Sequence, residues 1–292
     1  MIGVFDSGIG GLTVLRELLR KLPECGFSYL GDTARTPYGT KGAATIRRYA
    51  QEDAQFLLGR GCRLLVVACN TASAIAADDL RAAFPGIPIV EVVMPAITAA
   101  LAVTRNGRIG VMGTRATIAS GVYEHEIARR PRLRHCERSE AISSGGVDEI
   151  ATARSAGLAM TAGVEVVGQP CPLLVPLVEE GWLDAPETTS IIRTYLAPLR
   201  AARVDTLILG CTHYPLLESV IAREMGEGVT IINPAAATAR AVRSLLARDP
   251  TLAAACRGTS RTFAVTDRTP HFERIASEWL GTPVRLELVA VP

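Results

Sequence analysis

Short continuous apolar runs alternate with longer amphipathic stretches along nearly the whole chain, and this alternation constrains the fold more than any other feature. The runs are IGVF from Ile2, FSYL from Phe27, RLLVVA from Arg63, IPIVEVV from Ile87, GRIGVM from Gly107, VEVVG from Val164, DTLILG from Asp205, VTIIN from Val229, RTFAVT from Arg261 and VRLELVAV from Val284. Between them, Leu12 to Lys21, Ala43 to Leu58, Ser73 to Ala83, Thr117 to Arg129 and Thr188 to Ala201 read as helices. A strand that is apolar at every position is buried on both faces, so the pattern predicts an α/β protein with mainly parallel sheets between helical layers. Ligands of such sheets bind beyond the carboxyl ends of the strands.

The pattern also repeats. IGVFDSG at Ile2 to Gly8 matches IGVMGTR at Ile109 to Arg115 at an offset of 107, and the turn at Cys69 matches the turn at Cys211 at an offset of 142. Two similar three-layer α/β units follow, the second about 35 residues longer. The extra length is expected at Pro131 to Gly163, where strand and helix patterning lapses into a polar segment punctuated by Gly and Ser. Because the apolar pattern resumes after it, this segment is expected to be a surface excursion away from the site.

A chain of 292 residues suits two domains of about 150 residues each. Its 48% hydrophobic and 21% charged residues and net charge of +2 exclude a disordered or nucleic-acid-coating protein, and no nucleic-acid partner is expected. The long apolar stretch Ile87 to Val103 is broken by Pro88, Glu91 and Pro95, which argues against a membrane span. The opening MIGVFDSGIGG lacks the basic and apolar regions of a signal peptide, so a cytoplasmic location is expected. Seven scattered cysteines without CxxC spacing fit a reducing compartment and no zinc site.

Polar residues gather at the strand ends. DSGIGG, Asp6 to Gly11, offers backbone N–H groups at a helix start that could receive an anion; a glycine turn needed only for packing is the alternative, and Asp6 and Ser7 at the ligand edge favour the first. It lacks the GxGxxG spacing of a dinucleotide site. GDTARTPYGTKG, Gly31 to Gly42, is a surface loop or a second polar edge. Cys25, Cys62, Cys136, Cys171 and Cys256 read as buried or incidental thiols. Cys69 and Cys211 differ, because each lies between an apolar strand and a helix. The helix field there should lower a thiol from its usual value of about 8.5 toward neutrality. His213 is either a satisfied turn histidine or a proton carrier beside Cys211.

The motifs DSGIGGLTV, GDTARTPYG, CNTASA, GTRAT, CPLLVPLVE and LGCTHYP, in that order, resemble the glutamate racemase family of the aspartate/glutamate racemase superfamily. The likeness covers nearly the whole chain except the inserted segment. It implies a pseudo-twofold pair of α/β domains, residues 1–93 plus 233–292 and residues 94–232, facing across a cleft and hinged near VVMPA and IINPA. It implies racemisation of glutamate with Cys69 deprotonating the D enantiomer and Cys211 the L enantiomer, assisted by Asp6, Glu179 and His213. Substrate would be held by Asp6, Ser7, Tyr38, Gly39, Asn70, Thr71, Thr114, Thr117, Thr212 and His213.

No cofactor is implied. Pyridoxal phosphate needs a Schiff-base lysine, and the only lysines are Lys21 and Lys41 on expected surface positions. A homodimer supplying D-glutamate for peptidoglycan is the further implication. Two departures stand out: the insertion, and the absence of an acidic residue early in NPAAATARAV (Asn233 to Val242). The chain is also expected to lack the amino-terminal extension that the resemblance associates with members activated by a cell-wall precursor. Aspartate racemase, hydantoin racemase, maleate isomerase or a non-enzymatic thiol redox or anion-binding protein are the rival readings.

Overall fold

A computed structural model describes residues 1–130 and 163–291. Apart from an exposed Gly163, the inserted segment expected at Pro131 to Gly163 lies outside the described residues, as does Cys136.

The strands are β1 (Ile2–Asp6), β2 (Phe27–Gly31), β3 (Leu64–Val67), β4 (Ile89–Glu91), β5 (Arg108–Gly113), β6 (Glu165–Pro170), β7 (Thr206–Gly210), β8 (Thr230–Ile232), β9 (Arg261–Val265) and β10 (Glu287–Leu288). They form a sheet of order β10-β9-β2-β1-β3-β4 and another of order β6-β5-β7-β8. Every pairing within both is parallel. The order β2-β1-β3-β4 recurs as β6-β5-β7-β8, so the sequence repeat is a repeat of topology.

Alternate residues of each strand enter different helical layers. In the first sheet Ile2, Val4, Leu64 and Val66 join Leu12, Leu15 and Leu18, while Phe5, Leu65 and Val67 join Ile46, Ala50 and Leu57. In the second, Ile109, Val111 and Ile208 join Ile97 and Ala100, while Met112, Leu207 and Leu209 join Ile192, Leu196 and Leu199. Each such side chain contributes about 1.5–3 kcal/mol by leaving water, which is why these strands carry no polar alternation.

The chain crosses between the sheets twice, through helices Val93–Val103 and Pro234–Arg248. Glu91 starts the first, its carboxylate accepting from the N–H groups of Val93 (2.6 Å) and Met94 (3.0 Å). Asn233 starts the second, its Oδ1 accepting from Ala235 N–H at 3.0 Å and its Nδ2 donating to Glu218 at 2.8 Å. That amide cap occupies the helix start where an acidic residue was expected nearby.

Several elements differ from the sequence expectation. The run from Ile87 is a strand only over Ile89–Glu91, because helix begins at Val93 and Pro95 is tolerated in a first turn whose N–H groups have no intrahelical partner. The helix expected over Thr117 to Arg129 is two, Arg115–Ala119 and Val122–Ala128, divided at Gly121 with φ of 64°. The run from Val284 supplies only the exposed pair Glu287–Leu288. Among the described residues no helix is long and apolar enough to cross a membrane.

Candidate active site

In both sheets the chain reverses direction of travel at the central strand, β1 or β5, and the turns that carry the candidate residues Ser7, Cys69, Thr114 and Cys211 follow the carboxyl ends of strands at these switch points. The turn after β1 touches both cysteine turns. Ser7 Oγ lies 3.5 Å from Cys69 Sγ. A β-carbon on Gly10 would stand 2.2 Å from Thr212 Oγ1 and 2.5 Å from His213 Cε1, so only glycine admits this approach. Thr13 Oγ1 donates to the Thr212 carbonyl at 2.8 Å and closes the same contact.

Cys69 caps the helix Asn70–Ala83, its sulfur accepting from Ala72 N–H at 3.4 Å. The predicted drop in its pKa does not occur. Burial, reinforced by the nearby Asp6 charge, outweighs the Ser7 and backbone hydrogen bonds and pushes the thiol up to about 12. Asp6 is itself buried. Desolvation holds its carboxyl above the ordinary carboxylate range against the His213 charge and the Gly11 and Gly8 N–H groups, and its Oδ1 has no hydrogen-bond partner.

Cys211 does not begin an α-helix. A 3-10 turn over Tyr214–Leu217 intervenes before the helix Glu218–Met225. Its neighbour is instead His213, whose Nδ1 lies 3.8 Å from Cys211 Sγ and 3.4 Å from Thr212 Oγ1. His213 Nε2 is 3.1 Å from Glu179 Oε1, at the end of helix Leu174–Glu179. Burial alone would lower this histidine, but hydrogen bonding and charge from Cys211 and Glu179 prevail and raise it to about 10. The two thiols therefore have unlike surroundings: Cys69 is held neutral by burial, whereas Cys211 faces an imidazolium.

The remaining candidates lie around these turns. Thr71 Oγ1 is 3.0 Å from Thr114 Oγ1 and 3.2 Å from Thr117 Oγ1, joining the Cys69 turn to the end of β5 across the two sheets. Asn70 Oδ1 accepts from the Tyr123 hydroxyl at 3.2 Å. Gly39 abuts Thr114, a β-carbon there standing 2.8 Å from Thr114 Cβ. Tyr38 is the exception. Its hydroxyl donates into a buried group formed by Asp32 and Asp53, which Arg35 also binds, so its side chain supports the loop rather than the cleft. Tyr38→Phe leaves both carboxylates without that donor and should destabilise the fold by about 1–3 kcal/mol in urea unfolding. Unchanged stability would mean that water replaces the phenol.

Cys25, Cys62, Cys171 and Cys256 are buried free thiols, as expected. Sequence reasoning missed Gly10 and Trp279 as neighbours of His213; the Trp279 ring meets the imidazole edge-on at 5.8 Å between centroids and 87° between planes. Nothing in the local pattern around Trp279 signals this contact.

A model of the Asp/Glu/Hydantoin racemase family matches residues 13–175. The chain is 44% identical to the glutamate racemase of Geobacter metallireducens over 96% of this chain and 92% of that one. The crystal structure of glutamate racemase isoform RacE1 from Bacillus anthracis superposes with a TM-score of 0.84 at 36% identity, covering 100% of this chain and 98% of that one. That of the Francisella tularensis glutamate racemase in complex with D-glutamate gives 0.81 at 31% identity, covering 99% and 97%. The chain belongs to the Asp/Glu/Hydantoin racemase family and is an enzyme of the isomerase class. Within the family it falls with the glutamate racemases.

Proposed function

We propose that this enzyme interconverts L- and D-glutamate without a cofactor, through Cys69 and Cys211 acting on opposite faces of the α-carbon. The observation that carries this reading is the Asp6–Gly10 turn, which meets Cys69 through Ser7 and the Cys211 turn through Gly10, at Thr212 and His213. Racemisation removes a proton from one face of a chiral carbon and delivers one to the other, a task suited to a thiolate and a thiol on facing walls.

In the L to D direction Cys211 takes the α-proton and His213 balances the sulfur charge. Cys69, protonated at neutral pH by its burial, gives its proton to the opposite face. The reverse direction exchanges the roles, the substrate ammonium helping Cys69 to ionise. Asp6 and the His213–Glu179 pair assist the two thiols. Ser7, Tyr38 and Gly39, Asn70, Thr71, Thr114, Thr117 and Thr212 hold the substrate, Tyr38 through its backbone. Exclusion of water and fixed N–H and O–H donors stabilise the charge that develops on the α-carboxylate.

The same reading assigns domains of residues 1–93 plus 233–292 and 94–232, a cytoplasmic homodimer, no nucleic-acid partner, and supply of D-glutamate for peptidoglycan synthesis and cell shape. Glutamate racemase relatives at high coverage support the choice of glutamate as substrate. The test is exchange of the α-proton of L-glutamate in deuterated water without added cofactor, run beside aspartate and a hydantoin, with conversion of maleate to fumarate followed separately because maleate has no α-proton to exchange. Exchange confined to one of the others would replace glutamate as substrate; exchange with none would overturn the racemase reading.

Glu179 gives a pH test. Its carboxylate is among the groups that raise His213, so Glu179→Gln lowers that pKa. The alkaline limb of racemisation, where His213 loses its proton, should move to lower pH. A limb that stays in place would remove Glu179 from the relay.

A further inference from the structure

We propose that Trp279 is a positioning residue for His213, holding the imidazole in the plane that serves Cys211. This rests on the two-thiol reading above. The hydrogen bonds of His213 fix its two nitrogens, Nδ1 toward Cys211 and Thr212 and Nε2 toward Glu179. Keeping both sets of contacts requires a restraint against turning about Cβ–Cγ, because a half-turn would carry Cδ2 and Cε1 into the places of Nδ1 and Nε2. Packing must supply that restraint.

Gly10 closes on the Cε1 and Nδ1 edge of the ring, and the Trp279 indole supplies a second wall, nearly perpendicular at 5.8 Å. Edge-to-face geometry of this kind is favoured between aromatic rings and is lost when either ring turns.

Trp279 is itself firmly placed. It lies in the last turn of the helix Pro270–Leu280, which buries Ile275, Ala276 and Trp279 and ends at Gly281 with φ of 70°. Arg16 Nη1 donates to the Trp279 carbonyl at 3.3 Å, tying this turn to the helix Leu12–Lys21 that follows the Asp6–Gly11 turn. The Trp279 wall and the Gly10 loop are thus parts of one packed unit, and the ring that the indole meets is that of His213, beside Cys211.

Racemisation itself cannot show a one-sided effect. The two enantiomers have equal free energy in water, so any variant changes kcat/KM equally in both directions. Elimination from a glutamate analogue carrying chloride on the β-carbon is free of this constraint. The thiolate removes the α-proton, the C–Cl bond breaks and chloride leaves, so each enantiomer reports one base alone.

Trp279→Leu should lower kcat for elimination from the L analogue by about tenfold or more, the scale on which misplacing a catalytic group acts. KM should change little, and elimination from the D analogue should stay within about twofold of the parent. Trp279→Phe, which keeps an aromatic wall, should recover most of the L activity. Equal loss on both enantiomers, or no loss on either, overturns the positioning role. The D arm measures folding in the same sample, so a variant that has simply unfolded gives equal loss and counts against it. Cys211→Ser in the same assay separates this from the underlying mechanism: if it still eliminates from the L analogue, the base assignment fails whatever Trp279 does.

Discussion

Cys69→Ser and Cys211→Ser should each abolish racemisation of glutamate, by at least about 10²–10⁴-fold, because a hydroxyl is a far poorer base than a thiolate near neutral pH and both faces must be served. On the β-chloro analogues the two variants should part. Cys211→Ser keeps elimination from the D enantiomer through Cys69, and Cys69→Ser keeps elimination from the L enantiomer through Cys211. The unlike surroundings add a further expectation. Cys69 is held neutral by burial and Asp6, so D elimination should climb with pH through the alkaline range. L elimination, which uses the protonated His213 (raised to about 10), should fall at that end. Both variants acting on the same enantiomer, or either racemising at the parental rate, would falsify the opposed-base mechanism.

Gly10→Ala should have the next largest effect. The added methyl would stand 2.2 Å from Thr212 Oγ1 and 2.5 and 2.6 Å from His213 Cε1 and Nδ1, far inside van der Waals contact, with a buried imidazole as the group that must yield. Either the histidine leaves Cys211 or the loop lifts from the cleft. We expect a loss in kcat of about 10²-fold and a destabilisation of about 1–3 kcal/mol from overpacking. Gly59→Ala is the control: nothing lies within 4 Å of a β-carbon at the end of the helix Ala43–Gly59. That variant should keep full activity and equal or slightly exceed the parent in stability, by up to about 1 kcal/mol. Parental turnover in Gly10→Ala would show that the loop does not bear on His213.

The layering of the fold was legible because burial on both faces leaves an unbroken apolar signature, as in LLVV of β3 and TLILG of β7. The repeat was legible because matching turns kept Cys69 and Cys211 at corresponding strand ends. Boundaries were less so. The apolar run from Ile87 spans a strand and the first turn of a helix, and the run itself carries no break at Val92. At Cys211 the sequence offered a strand, a thiol and an apolar stretch, from which an immediate helix was the natural reading; Pro215 fits the observed 3-10 turn equally well.

Thiol acidity could not be read at all, since it depends on burial and then on Asp6, brought next to Cys69 by the parallel pairing of β1 with β3. Tyr38 was legible as a polar edge residue but not as one spent on Asp53, a carboxylate buried on a helix whose other acidic residue, Glu52, is half-buried and paired with Arg35. Trp279 was invisible for the same reason: its neighbour in space is remote in sequence.

The pairing of β9 with β2 fixes when, during synthesis, the catalytic apparatus can first exist. A ribosome has made both cysteine turns well before Arg261 emerges, yet until then β2 is an open edge whose backbone groups await a partner. The loop beyond β2 waits as well, since Thr33 bonds to Asp267 and Asp32 to Thr266. The helix bearing Trp279 follows later still. A nascent or truncated chain ending before β9 therefore carries both thiols on an unfinished sheet, and catalysis is expected only after β9 has been made.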